Sequence, residues 1–278
     1  MDWITEYKIP VGAVAKAIFE WFKTTFDAYL DMFKAAMAAA IDATLWLMQA
    51  PHAFVIVALF VALTWAIQRN WRHCAVVALG YLYIINQGYW KETTETLVLV
   101  LYACLACMVM GVPIGIAAAH RPRLFAAMQP VLDLMQTLPT PVYLIPFVVL
   151  FGLGMVPGLL ATIIFVIPAV IRLTQLGVSA TPIALLEAAT AFGATPRQVL
   201  WKVELPYALP QIMAALNQTI MLSLSMVVIA AFVGANGLGI PVVRALNTVN
   251  AAKGFEAGFV IVVLAIVLRT TFQREARP

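Results

Sequence analysis

From residue 43 onward the sequence alternates long uncharged runs with short charged stretches. A helix crosses a bilayer with ~20 apolar residues, or ~17 at the short end. Residues 43–68 supply one such run, its membrane part starting near Pro51. Residues 74–90 supply a second, closing on Tyr89 and Trp90, a pair suited to the interfacial aromatic belt. Residues 97–119 are a third. Residues 134–171 are uncharged throughout and long enough for two crossings, with Gly152, Gly154, Pro157 and Gly158 marking the turn. Residues 205–243 hold a sixth crossing followed by a glycine-rich tip, and 254–271 a seventh, shortened by Glu256. Ahead of all these, residues 12–42 show a different rhythm. Ile18, Phe22, Phe26, Tyr29, Phe33 and Met37 step by three or four, with Glu20, Lys23, Asp27, Asp31 and Lys34 largely opposite. That pattern predicts an amphipathic helix, either lying in the interface or bracing other helices.

Composition agrees with the pattern. Hydrophobic residues make up 63% of the 278 and charged residues 11%, against about 25% charged in a soluble domain. A soluble chain of this length has too few polar side chains here to cover its surface, so the expected class is an all-α polytopic membrane protein. About seven transmembrane helices and the N-terminal amphipathic helix make up the expected fold. The expected organisation is an extracytoplasmic amphipathic segment at 1–50, two accessory transmembrane helices at 51–90, and a core at 91–278 containing a cytoplasmic loop at 176–206. The N-terminus is mixed in charge and has no basic region ahead of a compact apolar core, so no cleavable signal peptide is expected.

The net charge of +4 is spread over seventeen Lys and Arg positions. No stretch interleaves basic residues with aromatics on a polar face, which argues against nucleic acid. With seven alternating crossings, one side receives Arg69, Arg72, Arg121, Arg123, Arg172, Arg197, Lys202, Arg269, Arg274 and Arg277. The other receives Lys91, Arg244, Lys253 and the N-terminal segment. Cytoplasmic loops are rich in Lys and Arg, so the N-terminus is expected outside and the C-terminus inside.

Little in the chain suggests catalysis. Cys104 and Cys107 form C-x-x-C inside an uncharged run without histidine and read as small packing residues. His52, His73 and His120 stand at separate crossing boundaries, far from a second type of metal ligand. The chain lacks a G-x-x-x-x-G-K-[ST] phosphate loop. No metal or other cofactor is expected, and the chain is not expected to be an enzyme.

The loop at 181–206 carries the most information. It reads T-P-I-A-L-L-E-A-A-T-A-F-G-A-T-P-R-Q-V-L-W-K-V-E-L-P. Pro182 and Pro196 are placed to bracket a short helix. Ala188 and Ala189 allow close approach of another surface, and Gly193 permits a left-handed turn. The run E-A-A-x3-G-x9-V-x-L-P from Glu187 to Pro206 resembles the signature loop of permease subunits of binding-protein-dependent ABC importers, with Val203 where that family has isoleucine. The resemblance implies a type I importer transmembrane fold in a bacterial inner membrane. It also implies a coupling helix seated on a cytoplasmic ATPase subunit through Glu187, Ala188, Ala189, Gly193, Leu205 and Pro206. Further implied partners are an extracytoplasmic substrate-binding protein, a second copy of the permease, and membrane lipid. ATP and Mg would be held by the ATPase subunit.

A second resemblance narrows the cargo. The stretch Q-P-V-L-D-L-M-Q-T-L-P-T-P-V-Y-L-I-P at 129–146 and F-V-G-A-N-G-L-G at 232–239 are similar to the glycine betaine/proline/choline branch of these permeases. The branch places Asp before the Arg corresponding to Arg269, where this chain has Leu268. Asp133, beside an apolar run, either lines the path or caps the helix after Pro130. Pro139, Pro141 and Pro146 break the fourth crossing, and freed backbone groups in a membrane must face protein or water. Thr137, Pro139, Tyr143 and Phe147 are therefore candidates for the translocation path, with Tyr143 and Phe147 suited to a quaternary ammonium. The alternative is a self-contained secondary transporter or channel for small organic cations. Such proteins usually carry intramembrane charges or inverted repeats, and neither is apparent here.

Overall fold

The computed structural model describes residues 10–272; Arg274 and Arg277 of the charge count lie outside them. Every regular element among the described residues is helical. α1 (Val11–Gln49) is two helical stretches joined at a kink, where Phe26 leaves the helical conformation (φ −114°, ψ 17°). Pro51 offers no N–H to continue it, and the chain turns by 99° into α2 (Ala53–Gln68). Arg69 adopts the left-handed conformation (φ 49°) and the Asn70 side chain accepts the Arg72 N–H at 3.0 Å, which starts α3 (Trp71–Asn86).

α4 (Trp90–His120) is followed by α5 (Pro122–Thr137), a 3₁₀ turn (Thr140–Tyr143) and α6 (Leu144–Phe151). After a turn at Gly152 and Gly154, both with positive φ, comes α7 (Met155–Ser179). α8 (Ile183–Ala191) and α9 (Pro196–Val199) lead through a π-helical turn (Leu200–Glu204) into α10 (Leu205–Ala231). α11 (Gly239–Asn247) and α12 (Ala251–Phe272) complete the described chain.

Among the described residues four helices are long and apolar enough to cross a membrane: α4, α7, the continuous Pro196–Ala231 helix and α12. Two bent pairs, α1 with α2 at 99° and α5 with the 3₁₀ turn and α6 at 108°, raise the number to six if each pair is one crossing. The protein is thus all-α and polytopic. The expected count of seven included residues 74–90 as a crossing; the helix there, α3, has 16 residues. The weakest expected crossing, by contrast, is one of the clear four. α12 runs for 22 residues, with Glu256 in its second turn rather than in its apolar stretch.

α4, α7 and α10 make the most extensive helix contacts, while α12 packs against the α2–α3 hairpin. Small residues on α4 set the closeness of the first pair. A Cβ on Gly115 would lie 2.7 Å from the Ile171 carbonyl oxygen and 2.7 Å from Thr174 Cβ, so the two backbones touch where larger residues would hold them apart. Val98, Cys107, Leu159, Val166 and Val170 fill the space between them. Cys107 is buried and its thiol donates to the Ile163 carbonyl at 3.7 Å, while Cys104 packs in the neighbouring cluster. Some buried threonines of the interior are paired: Thr96 accepts the Leu238 N–H at 2.9 Å and Thr64 pairs with Thr271 at 3.1 Å.

Candidate functional site

At the end of the bundle where α7 stops, α8 stands away from the body. No residue of it is buried. Glu187 and Ala188 are exposed and Ala189 is half-buried. Pro182 precedes the first turn, and the helix stops in a Schellman motif. Gly193 takes φ +80°, its N–H reaches the Thr190 carbonyl at 2.9 Å, and the Ala194 N–H reaches the Ala189 carbonyl at 3.0 Å. Only glycine takes this conformation without a steric penalty from Cβ. The adjoining Phe192 is 92% exposed and Ile183 is 71% exposed, so the knob presents apolar surface as well as the Glu187 carboxylate.

Pro196 does not close the α8 helix, as its position in the loop suggested; it opens the next one. Thr195 accepts the Gln198 N–H at 3.4 Å, while the Gln198 side chain accepts the Thr195 N–H at 2.8 Å, a reciprocal capping box. The helix then runs unbroken to Ala231. Pro206 and Pro210 would each lose an N–H bond in a regular α-helix and crowd the carbonyl four residues back. The widened π turn just before Pro206, with the Leu205 N–H reaching the Leu200 carbonyl, accommodates the first of them. Leu205 and Pro206 therefore sit at the junction of the two helical forms, half-buried and exposed respectively.

Glu204, inside the π turn, is 7% exposed. His120, the last residue of α4, holds it: Nε2 donates to the carboxylate, at 2.9 Å from Oε2 and 3.1 Å from Oε1. The other ring nitrogen lies 3.0 Å from the Ile116 carbonyl. This pair joins the end of α4 to the root of the knob. Sequence reasoning took His120 as an ordinary boundary histidine. The signal that could have found it is the carboxylate in V-E-L-P, which in such an apolar setting needs a partner.

The break in α5–α6 falls at the proline cluster. Residues before proline disfavour the α conformation, and Leu138, ahead of Pro139, is extended at ψ 136°. Asp133 pairs with Arg172 of α7 at 2.5 Å. Thr137 bonds back to the Leu134 carbonyl at 3.1 Å and, like Pro139, is exposed. Tyr143 points inward. It is 7% exposed, packs with Leu144, Ala161, Met226 and Val233, and its hydroxyl donates to the Met135 carbonyl across the bend. Phe147 is half-buried between the same cluster and the α4–α7 core. The two aromatics expected along the path thus meet other protein in the single chain, whereas Thr137 and Pro139 do not. No group of three or more metal-ligating side chains occurs among the described residues.

The family described as "Binding-protein-dependent transport system inner membrane component" matches residues 111–274, which include the knob, the π turn and the His120–Glu204 pair. The glycine betaine/carnitine transport permease protein GbuB of Listeria monocytogenes is 42% identical over 88% of this chain and 88% of its own length. The glycine betaine transport system permease protein OpuAB of Bacillus subtilis is 41% identical over 94% of this chain and 92% of its own. The glycine betaine/proline betaine transport system permease protein ProW of Escherichia coli is 40% identical over 99% of this chain and 75% of its own. Two inward-facing structures of the MetNI methionine ABC transporter share the fold, with TM-scores of 0.57 and 0.60. They are 25% and 24% identical, over 63% and 65% of this chain and 88% and 91% of theirs. The chain is an inner-membrane permease subunit and belongs to the family of binding-protein-dependent transport system inner membrane components.

Proposed function

We propose that the chain is the pore subunit of an ATP-driven importer of quaternary amines, working as two copies with a separate ATPase subunit inside and a substrate-binding protein outside. The observation that carries this reading is the uncovered α8 knob: Glu187, Ala188 and Ala189 on a short helix with no buried residue, ended by Gly193 at φ +80°. Such a helix is stable only where another surface covers its apolar side chains. The ATPase subunit is that surface, touching Glu187, Ala188, Ala189 and Gly193, with Leu205 and Pro206 at the root. The relatives are transport proteins for glycine betaine, proline betaine or carnitine, which supports a quaternary amine.

The type I importer fold is supported by the likeness to the methionine transporter. The surplus of Arg and Lys on the α8 side supports a cytoplasmic knob and C-terminus, and an N-terminus outside. Seven crossings follow if α3, with 16 residues and Arg72 at its start, spans by tilting little. In this scheme 1–50 is an outer amphipathic brace, 51–90 an accessory pair, and 91–278 the core. Asp133 is structural through its pair with Arg172, and the broken segment from Thr137 through Pro139 to Tyr143 and Phe147 flanks the path.

The test is co-expression of the chain with its ATPase subunit, with and without the double substitution Glu187→Ala and Gly193→Pro. Proline fixes φ near −65° and is incompatible with φ +80°. The wild-type pair is expected to associate and hydrolyse ATP in response to loaded binding protein, and the double variant to lose both. Uptake into liposomes without any ATPase, or a double variant that couples normally, would sink the importer reading in favour of a self-contained transporter.

A further inference from the structure

The exposed face of α10 differs chemically from those of α2 and α4. α2 shows Phe54, Val55, Leu59, Leu63 and Trp65, and α4 shows Leu101, Leu105 and Val109, side chains that suit lipid. From residue 211 onward, past the proline-rich first turns, the exposed positions of α10 are Gln211, Ala214, Gln218, Met221, Ser225 and, just past its end, Phe232. They step by three, four or seven and so form one stripe. Its polar members stand one heptad apart at 211, 218 and 225. An amide facing hydrocarbon has no hydrogen-bond partner, so this stripe is poorly suited to lipid.

Two neighbours place the stripe in the fold. On one side Gln218 lines a recess of ≈ 280 Å³ with Asn217 of the same helix and Arg269 of α12. The Asn217 Oδ1 atom there is buried without a hydrogen-bond partner. On the other side, Met226 of α10 packs against Tyr143 and Leu144 of the broken α5–α6 segment. The stripe therefore adjoins both a polar recess and the bend whose residues flank the path.

We propose that this stripe is a wall of the cargo path: Gln211, Gln218 and Ser225 line a hydrated route between two copies of the chain, with the exposed Phe232 at its outer end. The proposal rests on the permease reading and on a second copy facing this surface. The chemistry suits a small zwitterion. Glutamine amides donate to a carboxylate and serine can donate or accept, an aromatic face attracts the ammonium, and no fixed charge lies on the stripe to trap either end. From Gln211 to Ser225 the wall rises roughly 21 Å at helical spacing.

The test uses the full complex in inside-out vesicles, in a background with Cys74, Cys104 and Cys107 replaced by alanine that still transports glycine betaine. Gln218→Cys, Ser225→Cys and, as a lipid-facing control, Leu105→Cys are treated with a membrane-impermeant cationic methanethiosulfonate. Gln218→Cys and Ser225→Cys are expected to react at least about 10-fold faster than Leu105→Cys, because thiols in lipid are shielded from an aqueous reagent, and to stop ATP-driven release of glycine betaine from a lumen loaded with it and with binding protein. Reaction no faster than at Leu105→Cys overturns the proposal. So does a spontaneous disulfide between copies at Gln218→Cys with no reagent access, which marks a packed interface instead. Ser225→Cys changes one atom, so it reports even if Gln218→Cys does not assemble. Labelling needs no ATPase: a reactive stripe in a chain whose knob variants couple normally would keep the path and reject the importer.

Discussion

The pair that ties α4 to the π turn sets up an asymmetric mutational response. Glu204 is 7% exposed and accepts the His120 Nε2–H at 2.9 Å, while the His120 side chain is 45% exposed. A hydrogen bond to a charged group contributes ~1.5–3 kcal/mol, and the exposure of His120 puts this one in the lower half through solvent screening. Glu204→Gln keeps an acceptor and the packing and should cost about 1 kcal/mol. His120→Ala leaves a buried carboxylate without its partner and should cost more, about 2 kcal/mol, still below the ~3–5 kcal/mol of a fully buried broken pair because water can enter the vacated space. At ~2–4 °C per kcal/mol for a chain of comparable size, the midpoint shifts are roughly 2–4 °C and roughly 4–8 °C. The assay is thermal unfolding in detergent followed by loss of monodispersity, run as a double-mutant cycle with Glu204→Ala. A coupling of about 1 kcal/mol or more is expected between contacting residues. Additivity within ~0.5 kcal/mol, or a His120→Ala loss no larger than that of Glu204→Gln, would refute the reasoning.

Three other perturbations follow from backbone geometry. Gly115→Val drives a side chain into the Ile171 carbonyl and Thr174 and should cost about 1–3 kcal/mol or block assembly, while Gly258→Ala, with nothing within 4 Å, should stay within ~0.5 kcal/mol; membrane yield and midpoint compare them. Gly193→Ala should cost about 1 kcal/mol at φ +80° and reduce ATPase coupling, with Gly193→Asn closer to wild type in the same assay. Val249 closes α11 at φ 52° and is 91% exposed, so Val249→Gly should raise the unfolding midpoint by relieving about 1 kcal/mol of strain. A lowered midpoint would mean that the valine side chain has a partner.

Features governed by local chemistry were legible in the sequence. The turn at Gly152 and Gly154, the break at Pro139 and the end of α8 at Gly193 all fall where residues with special backbone preferences put them. The amphipathic stripe around Phe22 and Phe33 lies on helical chain, though a kink at Phe26 divides it. What was missed depends on contacts between distant segments. Nothing near His120 in the sequence points to a carboxylate 84 residues on. Residues up to 243 read as ending in a glycine-rich tip, yet 239–247 form α11, whose first residue packs so closely on the Val227 carbonyl that a Cβ would come within 2.3 Å. Pro196 was legible as a helix boundary but not as which one, because proline suits a first turn as well as a stop. The knob's position was therefore readable, whereas the clasp at its root was not.

The unbroken run from Pro196 to Ala231 makes a mechanical rod of one helix. At 1.5 Å per residue its 36 residues span roughly 54 Å, so tilting by about 5° around its middle moves each end by roughly 2 Å. A hinge of flexible loop would dissipate such a displacement, but a hydrogen-bonded rod transmits it. The π turn changes the bonding pattern near one end of the rod, and Glu204 within it is moored to α4. A push on α8 thus reaches α10 beside a built-in fulcrum, and the position of that mooring sets the ratio of movement at the two ends.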